Sequence, residues 1–98
     1  MFKVQWTDDA KFDLQKSLSY YLRVAGIDTA RSIHGRIKSQ VSSLKNFPER
    51  TREGVVAGTR EFVISRLPFI AVIRIESSTV FVVNLIHTAK KYPPDDEI

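Results

Sequence analysis

The chemistry this chain can offer is concentrated near its C-terminal end, in Ile86-His87-Thr88-Ala89-Lys90-Lys91-Tyr92. A histidine titrates near neutrality and can pass a proton, lysines can stabilise a developing phosphorane, and a tyrosine ring can stack on a base. Together His87, Lys90, Lys91 and Tyr92 would suit metal-free RNA cleavage, in which a 2′-OH attacks the adjacent phosphate. The simpler reading is a hydrogen-bonding histidine at a strand end followed by a solvated basic pair. Other catalytic signatures are missing. Gly26, Gly35, Gly54 and Gly58 form neither G-x-G-x-x-G nor a phosphate-cradling loop. No serine lies in G-x-S-x-G. His34 and His87 stand far apart, and no His/Asp/Glu group has ligand spacing, so neither a metal nor a cofactor is expected. His34 borders an apolar helical stripe and reads as structural. Asp8-Asp9 reads as the acidic first turn of a helix, and Asp95-Asp96 as a solvated tail. The absence of cysteine excludes a disulfide framework, a thiolate metal site and a Cys nucleophile.

These residues need a scaffold, and the apolar periodicity supplies one. Phe2, Val4 and Trp6 alternate with Lys3 and Gln5, the period of a half-buried strand. Thr7-Asp8-Asp9 starts a helix with a capping hydroxyl and two acids. Its face is Ala10, Leu14, Leu18, Tyr21, Leu22 and Ala25; Phe12 falls off that stripe. Gly26 is the expected stop. A second helix is expected from Asp28 or Thr29, with Ala30, Ile33, Ile37, Val41, Leu44 and Phe47 on one face, ending before Pro48. The two helices, joined by about three residues, make an antiparallel hairpin.

Residues 48–59 read as a polar, glycine-punctuated linker with Arg50 and Arg52 exposed. Three strands are expected after it: Glu61 to Arg66, Phe69 to Glu76, and Thr79 to Ile86, the last two joined by Ser77-Ser78. His87 to Pro94 is expected to leave the sheet, and residues 94–98 to fray. The fold class is therefore α+β in the order β-α-α-β-β-β. An antiparallel-rich sheet of three or four strands carries an N-terminal helical hairpin on one face, in a single domain over residues 1–98. Phe69-Ile70-Ala71-Val72-Ile73 and Val80-Phe81-Val82-Val83 are apolar at consecutive positions, so both faces of these strands are apolar. One hairpin covers one face. The second face is either covered by the C-terminal tail or left as an apolar surface for a partner, with Phe69, Ile70, Val72, Phe81 and Val83 as the candidate contacts. Arg74, inside such a strand, calls for an exposed edge or a charged partner, with Glu61, Glu76 or an anionic ligand as candidates.

Size and charge point the same way. At 98 residues the chain is one small domain that buries only about two-thirds of its unfolded surface. Its net charge of +4 is unevenly distributed. Residues 1–30 hold four bases and four acids, residues 31–91 eleven bases and four acids, and the tail adds three acids. The middle segment suits either an anionic partner or a plain solvated surface, with Arg50, Arg52, Arg60, Arg74, Lys90 and Lys91 as candidate contacts to a target or nucleic acid. No apolar run approaches the roughly 20 residues that span a bilayer, and the N-terminus has no signal-peptide core. A cytoplasmic protein with no membrane partner is expected.

Three segments resemble a known family. Gly58-Thr59-Arg60-Glu61-Phe62-Val63-Ile64, Leu67-Pro68-Phe69-Ile70-Ala71-Val72-Ile73-Arg74-Ile75 and Val82-Val83-Asn84-Leu85-Ile86-His87-Thr88-Ala89-Lys90-Lys91-Tyr92-Pro93 look like the RelE/ParE toxins of type II toxin–antitoxin systems. Trp6-Thr7-Asp8-Asp9-Ala10, Asp13-Leu14 and Phe47-Pro48 agree with it, so the similarity runs from about Phe2 to Pro93.

The resemblance implies a small sheet carrying a helical hairpin. It also implies a cognate antitoxin whose C-terminal segment folds as it wraps the toxin's apolar and basic surface. RelE-type members cleave mRNA on the ribosome, and ParE-type members poison DNA gyrase. Where RelE-type enzymes tend to carry Arg, after the strand aromatic, this chain has Ile70, and its ending looks closer to the ParE side. The expectation is a gyrase inhibitor acting in growth arrest and plasmid stabilisation, with no catalysis of its own. The alternatives are a RelE-like mRNA endoribonuclease using His87, Lys90, Lys91 and Tyr92 on the ribosome, and an inactive binding module.

Overall fold

The structure, a computed structural model, describes residues 1–88. The elements run β1 (Lys3–Trp6), α1 (Asp8–Ala25), α2 (Ile27–Ser42), two short 3-10 turns at Ser43–Lys45 and Pro48–Arg50, β2 (Arg52–Glu53), β3 (Arg60–Val63), β4 (Phe69–Glu76) and β5 (Thr79–His87). Five strands form one sheet in the order β1-β5-β4-β3-β2. The β1–β5 pair is parallel and the other three pairs are antiparallel. The α+β class and the strand-hairpin-strands order agree with the sequence; the strand number does not. β2 is a two-residue strand inside the expected linker, pairing Arg52 with Glu61 and Glu53 with Arg60.

Thr7 begins α1 as its pattern requires. Its hydroxyl accepts the Ala10 N–H at 3.2 Å and donates to the Val82 carbonyl at 3.0 Å, fastening the helix start to β5. The helices meet at one residue rather than three. Gly26, at φ 94° and ψ 171°, ends α1 and caps α2, which therefore starts at Ile27 instead of Asp28. That backbone region is essentially reserved for glycine. α2 stops at Ser42, earlier than expected, and 3-10 turns carry the chain past Leu44 to Pro48; Phe47 is exposed. β3 also ends early, at Val63. Ile64 is buried, and Arg66 takes a left-handed φ of 65° in the turn to β4.

The core lies between the hairpin and the inner face of the sheet. Ala10, Leu14, Ile33, Ile37, Val41 and Leu44 pack on Phe69, Ala71, Ile73, Val80, Val82 and Leu85, with Trp6, Leu18 and Tyr21 at its margin. Leu22 and Ala25, expected on the buried stripe of α1, are exposed. Among the described residues, no helix is long and apolar enough to cross a membrane.

Candidate functional site

β5 contains the feature that sets the geometry of the site. Ile73 pairs with Val82, but Val72 pairs with Asn84, so Val83 is an extra residue in a β-bulge. A bulge reverses the alternation of side chains beyond it. Val80 and Val82 face the helices before the bulge, and Leu85 and His87 do so after it. Asp13 on α1 holds the irregularity in place. Its Oδ2 accepts the Leu85 N–H at 2.9 Å and the Asn84 Nδ2 at 3.1 Å.

His87 is therefore opposite Phe69 on the helix-covered side, its ring 5.2 Å from the Phe69 ring in an edge-on arrangement. Phe69 in turn meets Tyr21 of α1 at 6.3 Å. Lys90, Lys91 and Tyr92, the other members of the candidate catalytic set, lie outside the described residues, as does the tail expected to fray.

The second sheet face is open. Val63, Ile70, Phe81, Val83 and Ile86 are exposed or half-buried there and take no part in the core, with Arg74 beside Phe81. Phe69 and Val72 do not belong to the expected partner surface. Phe69 sits in the core at 1% exposure. Val72 is on the outer side of β4 at 0% exposure, next to Glu61, which the N–H of Val55 from the β2–β3 loop reaches at 3.4 Å. The remaining three residues of that set, Ile70, Phe81 and Val83, are the accessible ones. The consecutive apolar run of β5 thus has two sources, a bulge and a second exposed face.

The arginines divide by environment. Arg60 is held by Thr51, donating to its hydroxyl at 2.7 Å and to its carbonyl, so it joins β3 to the turn before β2. Arg52 pairs with the buried Glu61 at 3.0 Å. Arg74 lies 3.8 Å from Glu76 with both side chains about half exposed, a pairing of little energetic weight. Arg50 stacks on the exposed Phe47 ring at 4.2 Å and has no carboxylate partner among the described residues. Arg50, Arg52 and Arg60 thus lie around Thr51 at the β2–β3 edge, while Arg74 is on β4. His34 lines an open groove of about 530 Å³ between β1, α1 and α2 with Trp6, Lys11, Leu14 and Lys38. Among the described residues, no group of His, Asp and Glu can hold a metal ion.

A sequence model of the ParE toxin of type II toxin–antitoxin systems matches residues 4–92, nearly the whole chain. The chain belongs to the ParE toxin family. Similar solved structures agree with this placement. The chromosomal ParDE system from Pseudomonas aeruginosa gives a TM-score of 0.83 at 25% identity, over 89% of this chain and 96% of that one. The toxin–antitoxin complex RelBE2 from Mycobacterium tuberculosis gives 0.65 at 21% identity, over 91% and 93%, and shares the fold. Y4kP of Sinorhizobium fredii, a protein named as a toxin, is 29% identical over 91 residues, 93% of each chain. The protein is thus a type II toxin of the ParE/RelE superfamily. Its five-stranded mixed sheet and two helices are the superfamily's α+β fold.

Proposed function

We propose that this ParE-family chain inhibits DNA gyrase in the cytoplasm and is neutralised by a cognate antitoxin laid across the open sheet face. The observation that favours gyrase over RNA cleavage is the bulge at Val83. It turns His87 toward Phe69 and the helices, away from the open face, so a strand-end histidine that could serve as a general acid is used in packing. The open face has Ile70, Phe81 and Val83 with Arg74, an apolar strip with a cation, and the carboxylates at its margin, Glu61 and Glu76, each lie against an arginine. Such a strip suits an amphipathic segment with acidic groups, the kind of chain that folds as it binds. Growth arrest and plasmid stabilisation would follow from gyrase poisoning once the antitoxin is lost.

The test is a side-by-side assay of the purified protein on supercoiling by gyrase and on mRNA in translating ribosomes. Inhibited supercoiling with intact mRNA is the expected result. Ribosome-dependent cuts with unaffected gyrase would replace this reading by the mRNA endoribonuclease.

A further inference from the structure

The solvent side of α2 has a composition that the fold does not require. From Thr29 to Pro48 the chain has Arg31, Arg36, Lys38 and Lys45, with His34, and no acid. Asp28 is in the first turn at the hairpin tip, before that run begins. All four cations are exposed, and none forms an ion pair among the described residues. Arg31 and Lys38 are seven residues apart and so share one side of the helix, with His34 between them. The groove beside that side continues the charge. Lys11, His34 and Lys38 line it, Lys38 Nζ lying 5.2 Å from the Trp6 centroid, and no carboxylate does; Asp8 and Asp9, at the start of α1, are not among its lining residues. Gly35 stands between the cations in the helix interior, where glycine is a poor helix former. A side chain added there meets nothing within 4 Å, so packing within this chain does not call for a glycine.

The occupant follows from what this side has and what it lacks. Between Asp28 and Asn46 no large apolar side chain is exposed. A protein hot spot is built on apolar and aromatic anchors, and a lipid surface takes apolar side chains into its interface, so α2 offers neither what it needs. A second copy of this chain would set like charges against each other across a two-fold axis. A phosphodiester backbone asks for cations, hydroxyls and close approach. Arg31, Arg36 and Lys38 supply the first, Ser32, Ser39 and Ser42 the second, and Gly35 the third. Arg31 and Lys38 lie about 10 Å apart along the helix axis, about three nucleotide steps of one strand.

We propose that the exposed side of α2, with Lys11 across the groove, contacts the phosphate backbone of the duplex DNA that gyrase holds. The proposal rests on the gyrase reading for where the DNA is met, and adds that the toxin grips the nucleic acid as well as the enzyme. Such a contact is made only while DNA lies in the enzyme, so it favours the DNA-loaded form, the one that cleaves.

The experiment uses the full chain and two variants at exposed positions, Arg31→Gln with Lys38→Gln, and Gly35→Gln. Three quantities are read: affinity for a labelled random-sequence DNA duplex across a salt series, affinity for an RNA duplex of the same sequence, and inhibition of purified gyrase, with circular dichroism to establish folding. The wild type is expected to bind the DNA duplex with an affinity that falls as salt rises. The charge variant is expected to lose about tenfold or more of that affinity and about two units of the slope of log K against log salt. Its inhibition of gyrase is expected to need correspondingly more protein. Gly35→Gln is expected to fold at least as stably as the wild type, since glutamine is the better helix former. It is still expected to lose DNA affinity, because its side chain holds the helix off the phosphates. A wild type without salt-dependent DNA binding would overturn the proposal, as would variants that bind DNA and inhibit gyrase like the wild type; the second result leaves the gyrase reading standing. Tighter binding to the RNA duplex, lost in the same variants, would overturn it by reassigning this side to RNA. A wild type that binds DNA through these residues and leaves gyrase untouched would overturn the gyrase reading, and with it the gyrase-held DNA named here.

Discussion

Asp13 and His87 illustrate how one carboxylate can decide what a distant side chain does. The Asp13 carboxylate accepts two hydrogen bonds from β5 at the bulge, one of them from the Leu85 backbone. Removing it leaves a half-buried N–H and an amide without that partner. Asp13→Ala is expected to cost about 1–3 kcal/mol, measured by urea denaturation. His87 makes an edge-on contact with Phe69, and aromatic contacts of this kind are worth about 0.5–1.5 kcal/mol. His87→Ala is therefore expected to lower stability by about 1 kcal/mol while leaving toxicity intact at a temperature where the variant is folded. Full loss of toxicity in a folded His87→Ala protein would return His87 to the catalytic set. The chemical types around His87 were legible in the sequence. Its orientation was not, because a single extra residue at Val83 reverses every later side chain and leaves no trace in local composition.

Among the elements, those with strong periodicity were the ones the sequence revealed. The alternation of Phe2, Val4 and Trp6 and the stripe from Ala10 through Tyr21 placed β1 and α1, and Ser77-Ser78 closed the β4–β5 hairpin as expected. β2 escaped notice because two residues, Arg52 and Glu53, carry no period. The parallel β1–β5 pairing also escaped, since it joins the first and last strands across more than 70 residues and no local signal encodes it. Leu22 and Ala25 fit the helical stripe but not the core, because periodicity says which face is apolar and not how far the sheet extends beneath it. The hairpin angle depends on Gly26. With φ at 94° and ψ at 171°, a side chain there meets open space but imposes backbone strain. Gly26→Ala is expected to destabilise the fold by about 1–3 kcal/mol, read as a lowered midpoint in thermal unfolding monitored by circular dichroism. A midpoint equal to that of the wild type would show that the join relaxes at no cost.

For the whole molecule, the basic bias and the modest size have related explanations. Cations that form no ion pair among the described residues gather on the hairpin, while the sheet leaves Ile70, Phe81 and Val83 accessible. A partner that covers this surface and binds only the folded toxin must stabilise it by mass action, by about 2.7 kcal/mol at a free concentration one hundred times its dissociation constant. Adding the cognate antitoxin is expected to raise the unfolding midpoint of the toxin by several degrees, in proportion to the logarithm of its concentration. Ile70→Glu or Phe81→Glu is expected to reduce that shift, because each buries a carboxylate against an acidic partner. An unchanged shift in both variants would place the antitoxin elsewhere. Gyrase poisoning is read from DNA cleavage in purified gyrase reactions, with and without the toxin. The toxin is expected to trap cleaved DNA on the enzyme, and equimolar antitoxin to abolish the effect. Gyrase that supercoils normally, with no trapped breaks at saturating toxin, would contradict it.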